Sequence, residues 1–577
     1  MNEPIIPKQH EKRRNQPPFL AVYQKMFVVI AAALLVLFFI FPILRLVILS
    51  VSGESEVDLR HYQDILAEPQ TWTVLQNTVV MVAGSTFLAV ALGVFMAWLI
   101  TYSDVRAKRF LHVLVLLPFV IPSYIVSLSW TQLMSSNGWF ASVLTLLSEN
   151  LEPWNLYSLG GMIFILGLSH YPLVYLFTVG VLKRIPRELE WAARSSGAGR
   201  IAVFWKVTMP IALPGIAGGG LLAFLANLDN FGIPAFLGIP ANISVLSTAI
   251  YQEVVSVHAD AFSRAAVLSV VLGGVAVLGT VVQWLLVRKS KQLETAREDR
   301  SPRFSLGKFR IWAESGLWTF LLFIGIVPLS AMTTTSFLRT YGLEWTWDNL
   351  TWDHYWYVLY ENTNVQSALE NSLLLACVTT VVVLIIGTIV AYIRINKPSP
   401  LNRAAETIIT VPYALPGVVL ALAMIFAWME PIPGWNPGIY GSIWILFIAY
   451  STRFMILQVR GSAAAFMQVG ASMEEAAHVF GARGSVKWIK IMVPLILPGM
   501  LTGAFFVFLT SLTELTVSSL LWSAGHETIG VMIFNFEQAG YTTHSAALSS
   551  IVVMIFLAGF VFMMCGQTIW KKRGRKG

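Results

Sequence analysis

Charge is what this chain has least of: Asp, Glu, Lys and Arg make up 12% of its 577 residues, while 56% are hydrophobic. An ordinary water-soluble domain carries about twice that share of charge, so the composition excludes a soluble globular fold and places the chain in a bilayer. Cysteine is almost absent. Cys377 and Cys565 both fall inside apolar runs, where a thiol acts as a small apolar filler, and two such residues give neither a disulfide framework nor a metal site. No G-x-x-x-x-G-K-[ST] cradle for phosphates occurs: Gly307-Lys308 is followed by Phe309, which has no hydroxyl for magnesium. ATP chemistry must therefore come from other subunits. A grouping of nucleophile, His and acid at membrane depth is also missing, which argues against a membrane-embedded enzyme. The expectation is no catalytic residue, no metal ligand and no cofactor on this chain.

Long apolar runs are what it has in abundance. About twenty residues of helix cross roughly 30 Å of hydrocarbon, and twelve such runs can be drawn: 26–50, 74–101, 111–134, 158–182, 208–228, 264–287, 317–337, 372–393, 405–428, 440–460, 492–513 and 546–570. The predicted fold is an all-α polytopic membrane protein. If the basic N-terminus (Lys8, Lys12, Arg13, Arg14, Lys25) is cytoplasmic, then of 39 Lys and Arg only Arg45, Arg60, Arg264 and Arg339 fall on the outer side, as the positive-inside rule requires. Both termini are then cytoplasmic. The outer loops carry acids instead, such as Glu54, Asp64, Glu68, Glu344 and Asp353. The formal charge of +8 thus reports on the inner face and anionic lipid headgroups, and not on nucleic acid. The first run is too long for a signal peptide and no small-x-small site follows it, so a retained helix is expected.

The chain repeats itself. A shift of 284 carries Glu190 to Glu474, Ala192-Ala193 to Ala476-Ala477, Gly197 to Gly481, Lys206 to Lys490, Pro210 to Pro494 and Pro214-Gly215 to Pro498-Gly499. Upstream a shift of 294 takes Leu75, Asn77, Pro118 and Pro122 to Leu369, Asn371, Pro412 and Pro416. Collinear blocks of this kind mark two fused copies of one unit. The expected boundaries are a cytoplasmic tail 1–25, a first half 26–287 with a loop at 183–207, a polar basic linker 288–310 without structure of its own, a second half 311–570 with a loop at 461–491, and a basic tail 571–577. Six crossings return the chain to its starting side, so the halves are parallel and can pair about an axis along the membrane normal.

Each repeated loop has the wording of a short amphipathic helix, a glycine turn and a second short helix. In copy two the helix over 473–480 ends at Gly481, a left-handed cap, a second helix follows over 485–491, and Pro494 opens the next span. Acids near the helix start suit its dipole: Glu190 in copy one, Glu474 and Glu475 in copy two. The Ala pairs admit another backbone closely, and Phe480 and Trp488 supply apolar anchors, as in a helix made for a partner's groove. The pattern E-A-A-(x)3-G-(x)9-I-x-L-P resembles the cytoplasmic loop signature of membrane subunits of binding-protein-dependent ABC importers. Copy two fits it with Glu475-Ala476-Ala477, Gly481, Ile491 and Pro494, with Val493 in the leucine place; copy one fits with Ala192-Ala193, Gly197, Val207, Met209 and Pro210 but has Trp191 at the acid position. The resemblance implies a type I ABC importer permease fold, one coupling loop per half docked into two copies of a cytoplasmic ATPase that carry ATP and magnesium, and an extracytoplasmic solute-binding protein as a further partner beside membrane lipid.

For the solute pathway the candidates are Asp229 and Asn230, which align with Thr513 and Glu514 at the ends of the two fifth helices and are expected to face each other across the axis. His170, Tyr171, Tyr450 and Arg453 on the fourth helices are expected to pack between helices. Pro118, Pro122, Pro412 and Pro416 should kink the third helices. The outer-loop aromatics Trp345, Trp347, Trp352, Tyr355, Trp356 and Tyr357 read as an interfacial belt, or as a docking face for the binding protein. Fusion of equal halves and Thr513-Glu514-Leu515-Thr516 look like the iron(III) importer permeases; permeases for 2-aminoethylphosphonate or thiamine look alike over the same stretch. Acids without a cationic cage would suit a cation. An ion-coupled secondary transporter also has twelve helices in parallel halves, but the loop 102–109 lacks the glycines of its signature.

Overall fold

In hydrocarbon every backbone N–H and C=O must be satisfied within the chain, which leaves helices as the available element here. The structure, a computed structural model, describes residues 18–51, 59–148, 150–256, 258, 260–288, 299, 301–430, 437–479, 481 and 484–573. Among the described residues ten helices are long and apolar enough to cross a membrane, and two bent pairs raise the number to twelve. In the first half these are α1 (Val28–Ser50), α2 (Pro69–Tyr102), the pair α3 (Lys108–Val120) and α4 (Ser123–Leu133), α5 (Leu159–Leu182), α7 (Arg200–Asp229) and α9 (Ala261–Leu285), with the short α6 (Arg187–Ser195) and α8 (Leu246–Val255) between spans. The second half repeats the plan in α10 (Gly307–Thr335), α11 (Thr363–Asn396), the pair α12 (Pro400–Ala414) and α13 (Gly417–Trp428), α14 (Ile443–Val479), α15 (Trp488–Leu512), the short α16 (Ile529–Gln538) and α17 (Thr542–Gly559).

The expected proline kinks are something sharper. Pro122 and Pro416 bar the α conformation from the residue before them, and Ile121 (ψ 136°) and Leu415 (ψ 144°) are extended. The chain turns by 98° between α3 and α4 and by 107° between α12 and α13. Each third span is therefore two half-helices, and the N-termini of α4 and α13 lie free of any preceding turn. Pro118 and Pro412 sit inside α3 and α12 without ending them.

Glycine sets how closely the spans pack. A Cβ on Gly93 of α2 would lie 2.7 Å from Val174 Cβ and 2.8 Å from Tyr171 O of α5; its repeat, Gly387, would meet Gln458 Cβ of α14 at 3.0 Å. Gly219 would meet Val174 Cα at 2.8 Å, and its repeat Gly503 would meet Gln458 Oε1 at 2.8 Å. Small residues that let helices approach this closely are the usual means of association where lipid removes any hydrophobic drive.

The repeated asparagines have a shared task. Asn77 donates to Ser244 O at 3.1 Å and Asn371 donates to Gly525 O and Glu527 O at 3.1 Å. The next residues, Thr78 and Ser372, accept from the first N–H of α8 (Leu246) and of α16 (Ile529), each at 2.8 Å. Orphan donors at a helix start need such partners, so these pairs hang the short helices on α2 and α11.

The halves interlock. Phe38 and Phe41 of α1 pack on Trp428 of α13, with ring centroids 5.8 and 6.5 Å apart, and Arg45 pairs with Glu430 at 2.8 Å. In return α10 crosses to the first half, where Phe323 meets Trp130 at 5.9 Å. Aromatic residues of both halves, Phe231, Phe236 and Tyr251 with Phe534, join the two short helices near the axis.

Two further expectations need correction. The linker is structured at its end: Arg303 and Phe304 N–H donate to Tyr102 O at 2.7 and 3.2 Å, and Asp299 N–H donates to Lys183 O at 2.7 Å. The Leu306 N–H, with Ser305 and Arg310, holds the Asp104 carboxyl below the usual range. Residues 289–298 and 300 lie outside the described residues. The second loop is also not a separate helix, since α14 runs unbroken for 37 residues through Glu474, Glu475, Ala476 and Ala477. The reason is local: Pro186 starts α6 in the first half, whereas its repeat position holds Gly470, which does not stop a helix as proline does.

Candidate functional site

Two polar groups meet where the halves touch. Asp229 ends α7, and its Oδ1 accepts the Gly417 N–H at 2.5 Å, so a carboxylate of the first half caps the half-helix α13 of the second. A helix N-terminus favours a negative charge there. Its Oδ2 lies 2.6 Å from Nη2 of Arg453, which projects from α14. The guanidinium side chain is 6% exposed and that of Asp229 33%. Arg453 also explains the glycine: a Cβ at Gly417 would fall 2.3 Å from Arg453 Nη1 and 2.7 Å from Thr516 Cγ2.

At the matching half-helix of the first half the contact is uncharged and stays within that half. Ser123 opens α4 as Gly417 opens α13, and Asn230 donates to its Oγ at 2.7 Å while accepting the Ile233 N–H at 2.9 Å. Ser169 stands where Arg453 stands in the repeat. One half-helix is thus held by a charged pair and its repeat by neutral groups.

Glu514 is engaged by the backbone just beyond it, beside the same Arg453 that pairs with Asp229. It is buried, and its carboxylate accepts the Val517 N–H at 2.9 and 3.0 Å, the Ser518 N–H at 2.9 Å and the Ser518 hydroxyl at 2.9 Å. Tyr450 Oη lies 2.5 Å from the same Ser518 hydroxyl. Thr513 returns its hydroxyl to Leu509 O at 3.2 Å. His170 is held by Asn227 Oδ1 at 2.6 Å, with Asn227 in turn donating to Thr86 at 3.1 Å, while Tyr171 is fully buried. Arg453, expected only to pack between helices, is instead the partner of Asp229. The signal for it is a lone cation in an apolar span, which needs an acid from outside its own half. This region therefore holds a cation beside its acids, contrary to expectation.

At the loops, Gly197 takes φ +87° and Gly481 φ +79°, the left-handed region that glycine occupies without strain. After Gly197 the chain closes with Gly197 N to Arg194 O at 3.0 Å and Ala198 N to Ala193 O at 3.1 Å, satisfying the last carbonyls of α6. Both loops then enter a π-helical turn, Phe204–Thr208 and Trp488–Met492, just before the exposed Pro210 and Pro494. Ala192 is exposed and Ala193 half-buried on α6. Glu190 is not free: Thr208 Oγ1 donates to it at 3.0 Å and Arg303 of the linker lies 4.0 Å away. Side chains of Glu474, Glu475, Ala476 and Ala477, and residues 480, 482 and 483, lie outside the described residues. Among the described residues no three His, Cys, Asp or Glu lie close enough to hold a metal.

A family model described as binding-protein-dependent transport system inner membrane component matches the chain twice, over residues 89–292 and 359–576. The chain is 24% identical to an Fe(3+)-transport system permease protein of Haemophilus influenzae, covering 95% of this chain and 98% of that one. It is 24% identical to a ferric transport system permease protein of Actinobacillus pleuropneumoniae, over 78% of this chain and 64% of the relative. A molybdenum transport system permease protein of Escherichia coli is 28% identical over 38% of this chain and 95% of its own length. A solved bacterial ABC transporter that imports alginate overlaps 48% of the chain with TM-score 0.38 and 16% identity.

Proposed function

Because the chain belongs to the family of binding-protein-dependent transport system inner membrane components, we propose that it carries iron(III) through the axis between its halves, powered by two ATPase subunits seated one on each repeated loop. It is the permease of an ABC importer, with an ATPase and a solute-binding protein as partners. The iron(III) reading is carried by one observation: the relative matched along almost the whole of both chains is an Fe(3+)-transport permease. Charge in the pathway gives it little support, since Asp229 is neutralised by Arg453. Reconstituted with its ATPase and binding protein in proteoliposomes, the complex should accumulate radioactive iron(III) only with ATP. Uptake of molybdate, thiamine or 2-aminoethylphosphonate in place of iron overturns the substrate.

In this reading the repeated loops are levers. Glu190, Ala192, Ala193, Gly197 and Pro210 form the first, and Glu474, Glu475, Ala476, Ala477, Gly481 and Pro494 the second. ATP closes the ATPase pair, the loops move, and the halves rock about their shared axis. Both loops lie on the cytoplasmic side with the termini, in keeping with the basic residues. The boundaries 26–287 and 311–570 serve as the halves, each completed by the first helix of the other. Asp229 with Arg453 and Gly417 acts as a latch between the halves; Asn230 holds Ser123 within the first half, and Thr513 and Glu514 shape the wall beside the latch.

A further inference from the structure

Four guanidinium groups surround a cup of about 260 Å³ at the base of the first loop: Arg187, Arg194, Arg200 and Arg303, walled by Trp98 and Tyr102. One carboxylate, Glu190, shares the lining and is already engaged by Thr208 and Arg303. Arg303 is 5% exposed; its Nη2 is used by Ile185 O at 2.7 Å and Asp299 at 3.1 Å, while its buried Nη1 has no hydrogen-bond partner. The Arg187 guanidinium lies 5.2 Å over the Trp191 ring and donates to Pro302 O. Arg194 and Arg200 are exposed. Among the described residues, positive charge here exceeds the carboxylates that line the cup.

The cup adjoins a second space, with Trp98, Arg200 and Phe204 lining both. This groove, about 940 Å³, runs between the spans α2 and α7 and is lined by apolar side chains such as Val94, Phe95, Trp205 and Leu213, with Arg200 as its one charged member. Phe95 and Trp205 are 51% and 63% exposed, so among the described residues no protein covers it. The second half does not repeat these arginines. The positions repeating Arg187, Arg194 and Arg200 hold Ala471, His478 and Gly484, although the ring pair Trp98 and Phe204 at 5.7 Å is repeated by Tyr392 and Trp488 at 4.6 Å.

We propose that cup and groove together bind one anionic phospholipid, its phosphate among the arginines and one acyl chain between α2 and α7. Guanidinium forks match phosphate oxygens, and basic pockets between membrane helices suit acidic head groups. A free phosphate would leave the groove unfilled, and a neutral lipid would leave the cup uncompensated. Because Glu190 and Trp191 of α6 line the cup, occupancy would also stiffen the loop; that consequence alone rests on the lever reading above, whereas binding does not.

The test is binding to the purified chain, followed by native mass spectrometry during titration with phosphatidylglycerol or phosphatidylcholine of the same acyl length. Wild type should take one phosphatidylglycerol at least tenfold more tightly than phosphatidylcholine. The exposed pair R194Q/R200Q should lose most of that preference, and A91W, which fills the groove without touching the cup, should weaken both lipids. Melting temperatures of the variants are compared with wild type; if R194Q/R200Q melts early it is replaced by R200Q alone, and if A91W melts early it is replaced by A91F. Equal affinity for the two lipids, an A91W variant that binds as wild type, or inorganic phosphate displacing the lipid at micromolar concentration would each overturn the proposal.

Discussion

Replacing Asp229 by Asn keeps the side chain's size and an oxygen for the Gly417 N–H but removes the charge opposite Arg453. Two unit charges about 4 Å apart attract by about 4 kcal/mol at an effective dielectric near 20. With the Asp229 side chain 33% exposed and Arg453 6% exposed, water reaches one partner, and about half of that, near 2 kcal/mol, is a reasonable net value. That corresponds to roughly a 30-fold shift in the ratio of the two arrangements the latch separates. The assay is a double-mutant cycle of D229N, R453Q and both, reconstituted in nanodiscs with spin labels on the two halves, reading conformer ratios from inter-label distances. Each single variant should depopulate the latched state, R453Q less, and the double variant should resemble the worse single one. Additive effects, with a coupling energy below about 0.5 kcal/mol, would show that the pair does not hold the halves together.

Gly417→Ala would force a Cβ to within 2.3 Å of Arg453 Nη1, so transport should fall at least tenfold while the neutral repeat variant Ser123→Ala, which loses one hydrogen bond, costs about 1 kcal/mol; wild-type uptake by G417A would refute the packing argument. On the opposite face from the loops, burial pushes the Glu537 carboxyl up from 4.5 to about 7, with its Oε2 unpartnered and Oε1 accepting only weakly from Thr542 at 3.5 Å. A raised folded-state value means the protonated form is the stable one: stability is full below about 4.5 and is lost as pH rises through about 7. Thermal melts between pH 5 and 8 should therefore show wild type losing stability with rising pH and E537Q losing less, and parallel profiles would rule out Glu537 as the group responsible.

Much of the site is legible in the amino-acid sequence alone. The doubled A-A-(x)3-G frame marks both loops, and the glycines at 197 and 481 take the left-handed backbone that a glycine after an amphipathic stretch suggests. Asn77 and Asn371 recur because each carries the same short helix. Glu514 has the pattern of a pathway acid, yet its oxygens serve the backbone of residues 517 and 518. Nothing in the local pattern distinguishes a carboxylate that faces a pore from one that caps a turn. Arg453 stands out as a cation in an apolar span, but its role is hidden because its partner lies 224 positions earlier in the chain.

The sequence by itself determined the membrane setting, the helical class, the twofold repeat and the position of the repeated loops. Each follows from composition or from spacing within a few dozen residues, since hydrocarbon forces local backbone pairing and so makes apolar length legible. The tertiary structure decided what is non-local: the right-angle break that turns a proline kink into a helix start, the exchange of α1 and α10 between halves, the docking of the linker on the first loop, and the pairing of Asp229 with Arg453. Those depend on which side chains meet across long separations, where a glycine's missing Cβ or one buried charge selects the partner, and no periodicity along the chain records that choice.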